Sequence, residues 1–267
     1  MADDPLAPSA THRARKRFGQ HFLHDPQVIA RIMAVLQPRA GDPMVEIGPG
    51  RGALTRSLLP AVKTLDAVEL DRDLIPLLQR DMAPLGELRV HHGDALKFDF
   101  CTLVRDERKV RVVGNLPYNI STPLLFHLMD QQACIHDMHF MLQKEVAQRL
   151  AASPGGRDYG RLGIMVQYHC VVEKLFDVGA GAFSPPPKVT SSFIRLIPRT
   201  SPAAEVHNEA HFKQLVNQAF SRRRKTLRNA LKGLLTQEQI AAQGIDPAVR
   251  PETLALEAFA RLSNAME

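Results

Sequence analysis

Asn115, Leu116, Pro117 and Tyr118 stand together directly after the apolar run 110–113. Residues of these types can hold an exocyclic amine on a flat ring. The Asn115 side-chain oxygen and the Leu116 carbonyl can each accept one N–H of a single amino group. Pro117 fixes φ near about −65° and brings no N–H of its own, so the loop is stiff and its carbonyls keep their aim. Tyr118 offers a face on which a base can stack, a contact worth ~1–3 kcal/mol. The same residues also fit a plain strand-to-helix turn whose Asn caps a helix over 121–129.

The surrounding elements alternate. Asp25-Pro26 reads as an N-cap with Pro at the first helical position, opening a helix to about Leu36. Strands are expected at 43–47, 64–70, 88–92, 110–113 and 138–142, with helices at 53–59, 73–82 and 144–152 between or after them. This βα rhythm predicts a parallel, doubly wound sheet of Rossmann-like type. Residues 153–156 read as a loop, and 171–178 and 191–197 as a closing pair of strands. Arg199-Thr200-Ser201-Pro202 is the clearest boundary. Beyond it, Phe212, Leu215, Val216 and Ala219, then Leu227, Leu231 and Leu234, recur with helical period. The expected organisation is a disordered tail at 1–12, an α/β domain at 13–198 and a small α-helical domain at 199–267.

Glu46-Ile47-Gly48-Pro49-Gly50-Arg51-Gly52 follows the first strand of the alternation and opens a helix. Glycines at 48 and 50 let the backbone turn tightly and approach a ligand closely. Glu69, twenty-one residues after Gly48, ends the next strand, where an acid can bind ribose hydroxyls. A loop and acid so spaced suit a dinucleotide or S-adenosylmethionine. Glu46 favours the second, since its charge would repel a pyrophosphate but suits an ammonium or sulfonium. Asp94, in Gly93-Asp94-Ala95 after the third strand, can accept from an adenine amino group, or simply make a turn.

The chain of 267 residues carries a formal net charge of +6. Residues 195–267 hold eleven Lys and Arg against seven Asp and Glu, residues 1–24 hold four against two, and the stretch between is balanced. A neutral body with basic ends suits a polyanion. The densest run is Arg222-Arg223-Arg224-Lys225 with Arg228 and Lys232 beyond it. Arg224, Arg228 and Lys232 at i, i+4 and i+8 would share a helix face, as an RNA contact or a solvated surface. Arg13, Arg15, Lys16 and Arg17 could form a second contact. No long uncharged apolar run suggests a membrane span, and no secretory signal is apparent. Cys101, Cys134 and Cys170 lack C-x-x-C spacing, which predicts reduced, buried thiols in a cytoplasmic protein. No metal site is expected; His91-His92 sits in a strand, where adjacent side chains face opposite ways.

Taken together, Phe18-Gly19-Gln20-His21-Phe22-Leu23, the 46–52 loop, Val68-Glu69-Leu70-Asp71, Gly93-Asp94, the 115–118 loop and Phe183-Ser184-Pro185-Pro186-Pro187-Lys188-Val189 resemble KsgA-type small-subunit rRNA adenine N6,N6-dimethyltransferases. The resemblance covers the chain from about residue 15. It implies a Rossmann-like methyltransferase domain with a small helical C-terminal domain, S-adenosylmethionine as donor, and two adjacent adenosines near the 3′ end of small-subunit rRNA, within the 30S subunit, as target. It implies a donor-binding set drawn from Gln20, His21, Leu23, Gly48, Gly50, Glu69, Asp94, Ala95 and Asn115. His21 stands where many relatives carry Asn. The target base would be flipped or unstacked, between Tyr118 and Phe183 if Phe183 forms a second wall rather than a core anchor. A monomer is expected. Dimethylation of large-subunit rRNA, or a ribosome-assembly role that rests on binding, are the other readings.

Overall fold

The computed structural model describes residues 20–222 and 224–266. The 1–12 tail, the basic residues of 13–17, Phe18, Gly19 and Arg223 therefore lie outside the described residues. By packing, the chain forms two compact units. One runs to Lys144 and takes in Glu173–Pro198; the other joins Glu145–Val172 to the chain from Arg199 onward. Besides the expected break at 199, the chain thus crosses between units near 144 and 172.

The first unit is built on a mixed sheet. β2 (Met44–Ile47), β3 (Thr64–Glu69), β4 (Glu87–His92), β5 (Val110–Asn115) and β6 (Ile135–Gln143) are parallel. β9 (Ser191–Pro198) adds antiparallel to β6, and β7 (Cys170–Val178) lies beside β9. The order β4-β3-β2-β5-β6-β9-β7 reverses direction between β2 and β5. Ligands of such sheets collect where the strand order reverses, at the carboxyl ends of the strands. Runs such as Val110, Val112 and Val113, all essentially inaccessible, are what strands covered on both faces require.

Helices follow from local signals. α1 (Pro26–Leu36) is capped by Asp25, whose side chain accepts from the N–H groups of Gln27 and Val28. α2 (Thr55–Val62) and α3 (Ile75–Met82) start two residues later than expected, and α4 (Ser121–Met129) begins without a side-chain cap, so Asn115 is not a capping residue. One further pairing has no periodic signal in the sequence. β1 (Phe22–Leu23) forms an antiparallel ladder with β8 (Phe183–Ser184), pairing Phe22 with Ser184 and Leu23 with Phe183.

Two expectations are corrected. Cys101 and Cys134 form a disulfide, their Cα atoms 5.2 Å apart, and only Cys170 is a free buried thiol. Both cysteines lie in 3-10 turns, Phe100–Leu103 and Gln132–Cys134, that sequence spacing does not bring together. In the second unit, α7 (Glu209–Ala219) buries Phe212, Leu215, Val216 and Ala219 as expected, but the basic helix does not form. α8 spans only Leu227–Ala230, because the Leu227 and Arg228 N–H groups donate to the Val249 and Pro247 carbonyls instead of continuing a helix backwards. Arg224 has φ +71°, a left-handed conformation. Arg224, Arg228 and Lys232 therefore share no helix face, and Leu235 rather than Leu234 is buried beside Leu227 and Leu231. α6 (Arg161–His169), in the second unit, is an addition to the expected elements. No helix among the described residues is long and apolar enough to cross a membrane.

Candidate active site

The carboxyl ends of β2, β3 and β5 open on one cavity in the first unit. Its walls come from 20–23, the 46–51 turn, Glu69 and Leu70, Gly93 to Ala95, and the 115–118 loop. The turn after β2 needs its glycines: Gly50 has φ +59°, and a Cβ there would sit 3.0 Å from the Phe22 ring. The Gly48 N–H donates to the Val68 carbonyl (2.9 Å), which ties the turn to the end of β3.

Glu69 holds this turn from the other side. Its Oε2 accepts from the Gly50 N–H at 3.1 Å and its Oε1 from the Asp71 N–H at 2.8 Å. A carboxylate offers about four acceptor positions, so others remain for a ligand's hydroxyls. Burial raises its pKa, offset by those backbone hydrogen bonds and reinforced by the nearby Asp71 charge. Glu46, at the end of β2, is 3 % exposed and accepts from the Thr55 hydroxyl at 2.6 Å. Burial, despite the Thr55 bond and helped by Glu69, pushes its pKa up to about 7. An acid so poised gains charge when a cation arrives and loses it when the cation leaves. Among the further lining residues, the Arg51 guanidinium lies over the Phe22 ring, 4.7 Å from its centre.

The 115–118 loop is clamped on all sides. Asn115 ends β5, and its Nδ2 donates to the His21 carbonyl at 2.7 Å. This bond engages one of the two Nδ2 hydrogens and fixes the amide's orientation, and the Oδ1 acceptor can serve a ligand. The Leu116 N–H donates to the Met141 carbonyl at 3.2 Å while its side chain is buried. The Tyr118 hydroxyl shares a 2.7 Å hydrogen bond with the Ser191 hydroxyl, and its ring stacks with His21, centres 5.6 Å apart. Burial keeps the Tyr118 phenol above its usual range, against the Ser191 bond. His21 in turn donates from Nδ1 to the Pro185 carbonyl at 2.8 Å. Asp94 accepts from the Leu96 N–H at 3.0 Å, so one of its oxygens shapes the turn.

Gln20, His21, Leu23, Gly48, Gly50, Glu69, Asp94, Ala95, Asn115, Leu116, Pro117 and Tyr118 all line this one cavity. Phe183 does not. The β1–β8 pairing turns it into the hydrophobic core, 2 % exposed, so it forms no second wall opposite Tyr118. Arg222, Arg224, Lys225 and Arg228 are exposed on the second unit. Sequence reasoning missed Arg51 on Phe22 and Ser191 under Tyr118, for which only the ladder register could have given a signal.

Residues 11–267 match the family described as ribosomal RNA adenine dimethylase. The chain is 58 % identical, over 96 % of its length and 95 % of the relative's, to a protein of Pseudomonas aeruginosa named ribosomal RNA small subunit methyltransferase A. Its fold is similar to a dimethyladenosine transferase from Plasmodium falciparum, with a TM-score of 0.74, 28 % identity, and coverage of 91 % of this chain and 96 % of that one. It is also similar in fold to the 23S rRNA methyltransferase ErmE, with a TM-score of 0.72, 24 % identity, and coverage of 92 % and 99 %.

Proposed function

This chain belongs to the ribosomal RNA adenine dimethylase family, and from that premise we propose that it transfers methyl groups from S-adenosylmethionine to N6 of two adjacent adenosines near the 3′ end of small-subunit rRNA, giving N6,N6-dimethyladenosine. The relatives named for the small subunit, alike over nearly their whole length, support that target over the large subunit. One observation carries the chemistry: the Asn115 amide is oriented by the His21 carbonyl so that its oxygen is left to accept from an amine.

The cavity's residues fit the donor. Glu46 and Glu69, two buried carboxylates, suit a cation, and the Gly50 cradle leaves no room for a side chain. When bound, S-adenosylmethionine supplies an electrophilic methyl group on a positively charged sulfur. Glu69 takes the ribose hydroxyls on the acceptor positions its backbone partners leave, and Asp94 the adenine amino group. In the first transfer Asn115 Oδ1 and the Leu116 carbonyl accept the two N6 hydrogens of the target, and in the second one of them accepts the single hydrogen that remains. This draws the amine's lone pair out of conjugation with the ring and aims it at the methyl. Alignment and fixed acceptors supply the acceleration, with no strong base needed, because the cationic product nitrogen readily releases its proton to water. Tyr118, braced by Ser191 and His21, offers its remaining ring surface to the flipped base. Arg222, Arg224, Lys225 and Arg228 hold rRNA phosphates from the second unit.

The test is mass spectrometry of digested rRNA after incubation of the protein and donor with isolated small subunits and, separately, large-subunit rRNA. N6,N6-dimethyladenosine confined to the small-subunit reaction is the expected result. Methyl groups on cytosine or ribose, or on the large-subunit RNA, overturn the proposal.

A further inference from the structure

Three carboxylates line the cavity of the first unit, those of Glu46, Glu69 and Asp94. Arg51 is the one lysine or arginine among its described lining residues. The donor of the proposed reaction carries a sulfonium, an α-ammonium and, on the same amino-acid tail, an α-carboxylate. Glu46 and Glu69 suit the two cations. The α-carboxylate needs the opposite, N–H donors and positive charge, and the three acids repel it.

A glycine turn ahead of a helix can hold an anion on its backbone N–H groups. Here the glycine N–H groups are committed to the protein. Gly48 donates to the Val68 carbonyl at 2.9 Å, Gly50 to Glu69 Oε2 at 3.1 Å and Gly52 to the Pro49 carbonyl at 2.8 Å. His21 donates from Nδ1 to the Pro185 carbonyl, and in a neutral ring its other nitrogen is an acceptor. Arg51 differs from all of these. Its guanidinium lies over the Phe22 ring, 4.7 Å from the centre, and carries a planar fork of N–H donors that matches a carboxylate. Phe22 is a fixed platform: it is buried, it pairs with Ser184 in the β1–β8 ladder, and its ring is what a Cβ at Gly50 would meet. Phe22, Gly50 and Arg51 therefore make one corner of the cavity, beside the turn.

We infer that Arg51, seated on Phe22, binds the α-carboxylate of the donor's amino-acid tail and makes the site select donors in which that tail is intact. The inference rests on the reading of this cavity as the S-adenosylmethionine site. The demethylated product, S-adenosylhomocysteine, keeps the same tail, so Arg51 holds donor and product alike. Binding that does not change between ground and transition states lowers KM and leaves kcat as it is. Arg51 is thus a specificity-determining residue, separate from Asn115 and Leu116, which act on the target amine.

The test is calorimetric titration of the full chain, without RNA, so that its outcome does not depend on turnover. Four ligands are compared: S-adenosylmethionine, S-adenosylhomocysteine, decarboxylated S-adenosylmethionine and 5′-methylthioadenosine, which lacks both charges of the tail. The unaltered protein should bind the first two roughly 10–100-fold more tightly than the decarboxylated donor. Arg51→Met, which keeps an apolar stem over Phe22, should lose that preference, through weaker binding of the two carboxylate-bearing ligands by one common factor. Its affinity for 5′-methylthioadenosine should match the parent's, which also reports an intact fold. Arg51→Lys keeps the charge without the fork and should retain part of the preference. In methylation assays Arg51→Met should raise the KM for the donor with kcat kept. A parent that binds S-adenosylmethionine and its decarboxylated form alike, a preference that survives Arg51→Met, or an equal loss for 5′-methylthioadenosine overturns the inference. So does a variant with unchanged donor affinity and weaker rRNA binding, which would make Arg51 a target contact. A parent that binds none of the four ligands removes the donor site itself, and the inference with it.

Discussion

The cavity of the first unit and the basic surface of the second hold their polar groups in opposite ways. In the cavity, nearly every polar side chain is committed before a ligand arrives: Asn115 to His21, Tyr118 to Ser191, Glu69 to Gly50 and Asp71, Glu46 to Thr55. On the second unit Arg222, Arg224, Lys225 and Arg228 are exposed, and that stretch is held by backbone bonds such as Leu227 N–H to the Val249 carbonyl and by exposed side-chain bonds such as Arg228 Nη1 to Gln237 Oε1 at 3.4 Å. The first arrangement suits chemistry, where acceptors must be aimed in advance. The second suits a polyanion, where charge density matters more than aim. Substitutions in the first should therefore cut turnover with binding kept, and those in the second should do the reverse.

Asn115→Ala tests that contrast most severely. Loss of one preorganised group of this kind costs about 2.7–4 kcal/mol of barrier, or roughly 10²–10³ in rate, with rRNA affinity unchanged. Single-turnover methylation beside an RNA titration checks it; a variant as fast as the parent removes Asn115 from the chemistry.

Glu46 gives the next largest effect, through pH. Its acid ionises near 4.5 in the unfolded chain and near about 7 in the folded one. Between those values the folded state holds a proton that the unfolded state has lost. Stability is therefore full below 4.5 and falls as pH rises through about 7, by on the order of 3 kcal/mol. Glu46→Gln should flatten that dependence in denaturant titrations run across the window. A parent protein whose stability does not fall over this range contradicts the assignment.

Arg224→Ala with Arg228→Ala belongs to the other side of the comparison. It should reduce the salt slope of rRNA binding by about 0.7–0.9 per lost phosphate contact, with donor affinity untouched in calorimetry. An unchanged slope would leave these arginines as a solvated surface.

The smallest effect expected is that of Ser191→Ala. Losing the hydrogen bond that braces Tyr118 should cost about 0.5–1.5 kcal/mol, read as a few-fold slower methylation. A Ser191→Thr variant, which retains a hydroxyl, should recover part of the rate; equal rates in all three proteins would show that the brace is dispensable.

The parts of the site legible in the sequence are those made by contiguous residues. A strand, a glycine turn and a helix follow one another over 44–62, and the acid at the end of β3 and the Asn at the end of β5 fall at strand ends that the βα rhythm marks. What the sequence hid depends on distant partners. The β1–β8 ladder is two residues long, too short for any period, yet it buries Phe183 and moves it off the cavity wall. The Cys101–Cys134 disulfide joins two turns 33 residues apart. The helical spacing of Arg224, Arg228 and Lys232 was present in the sequence, but the carbonyls of Pro247 and Val249 outcompete the helix for the N–H groups it would need.

The bond from Asn115 to the His21 carbonyl spans 94 positions, and the one from His21 to the Pro185 carbonyl spans 164. Emerging from the ribosome, the chain can assemble β2, β3 and β5 while Phe183, Ser184 and Pro185, which also hold its N-terminal segment, are still unsynthesised. The amide that aims at the substrate is locked only after residue 185 has emerged and the segment at 21–23 has folded back onto it. Such long closures are among the last contacts a chain makes and the first it gives up. A nascent or partly opened molecule would then keep its sheet but lack a competent catalytic loop.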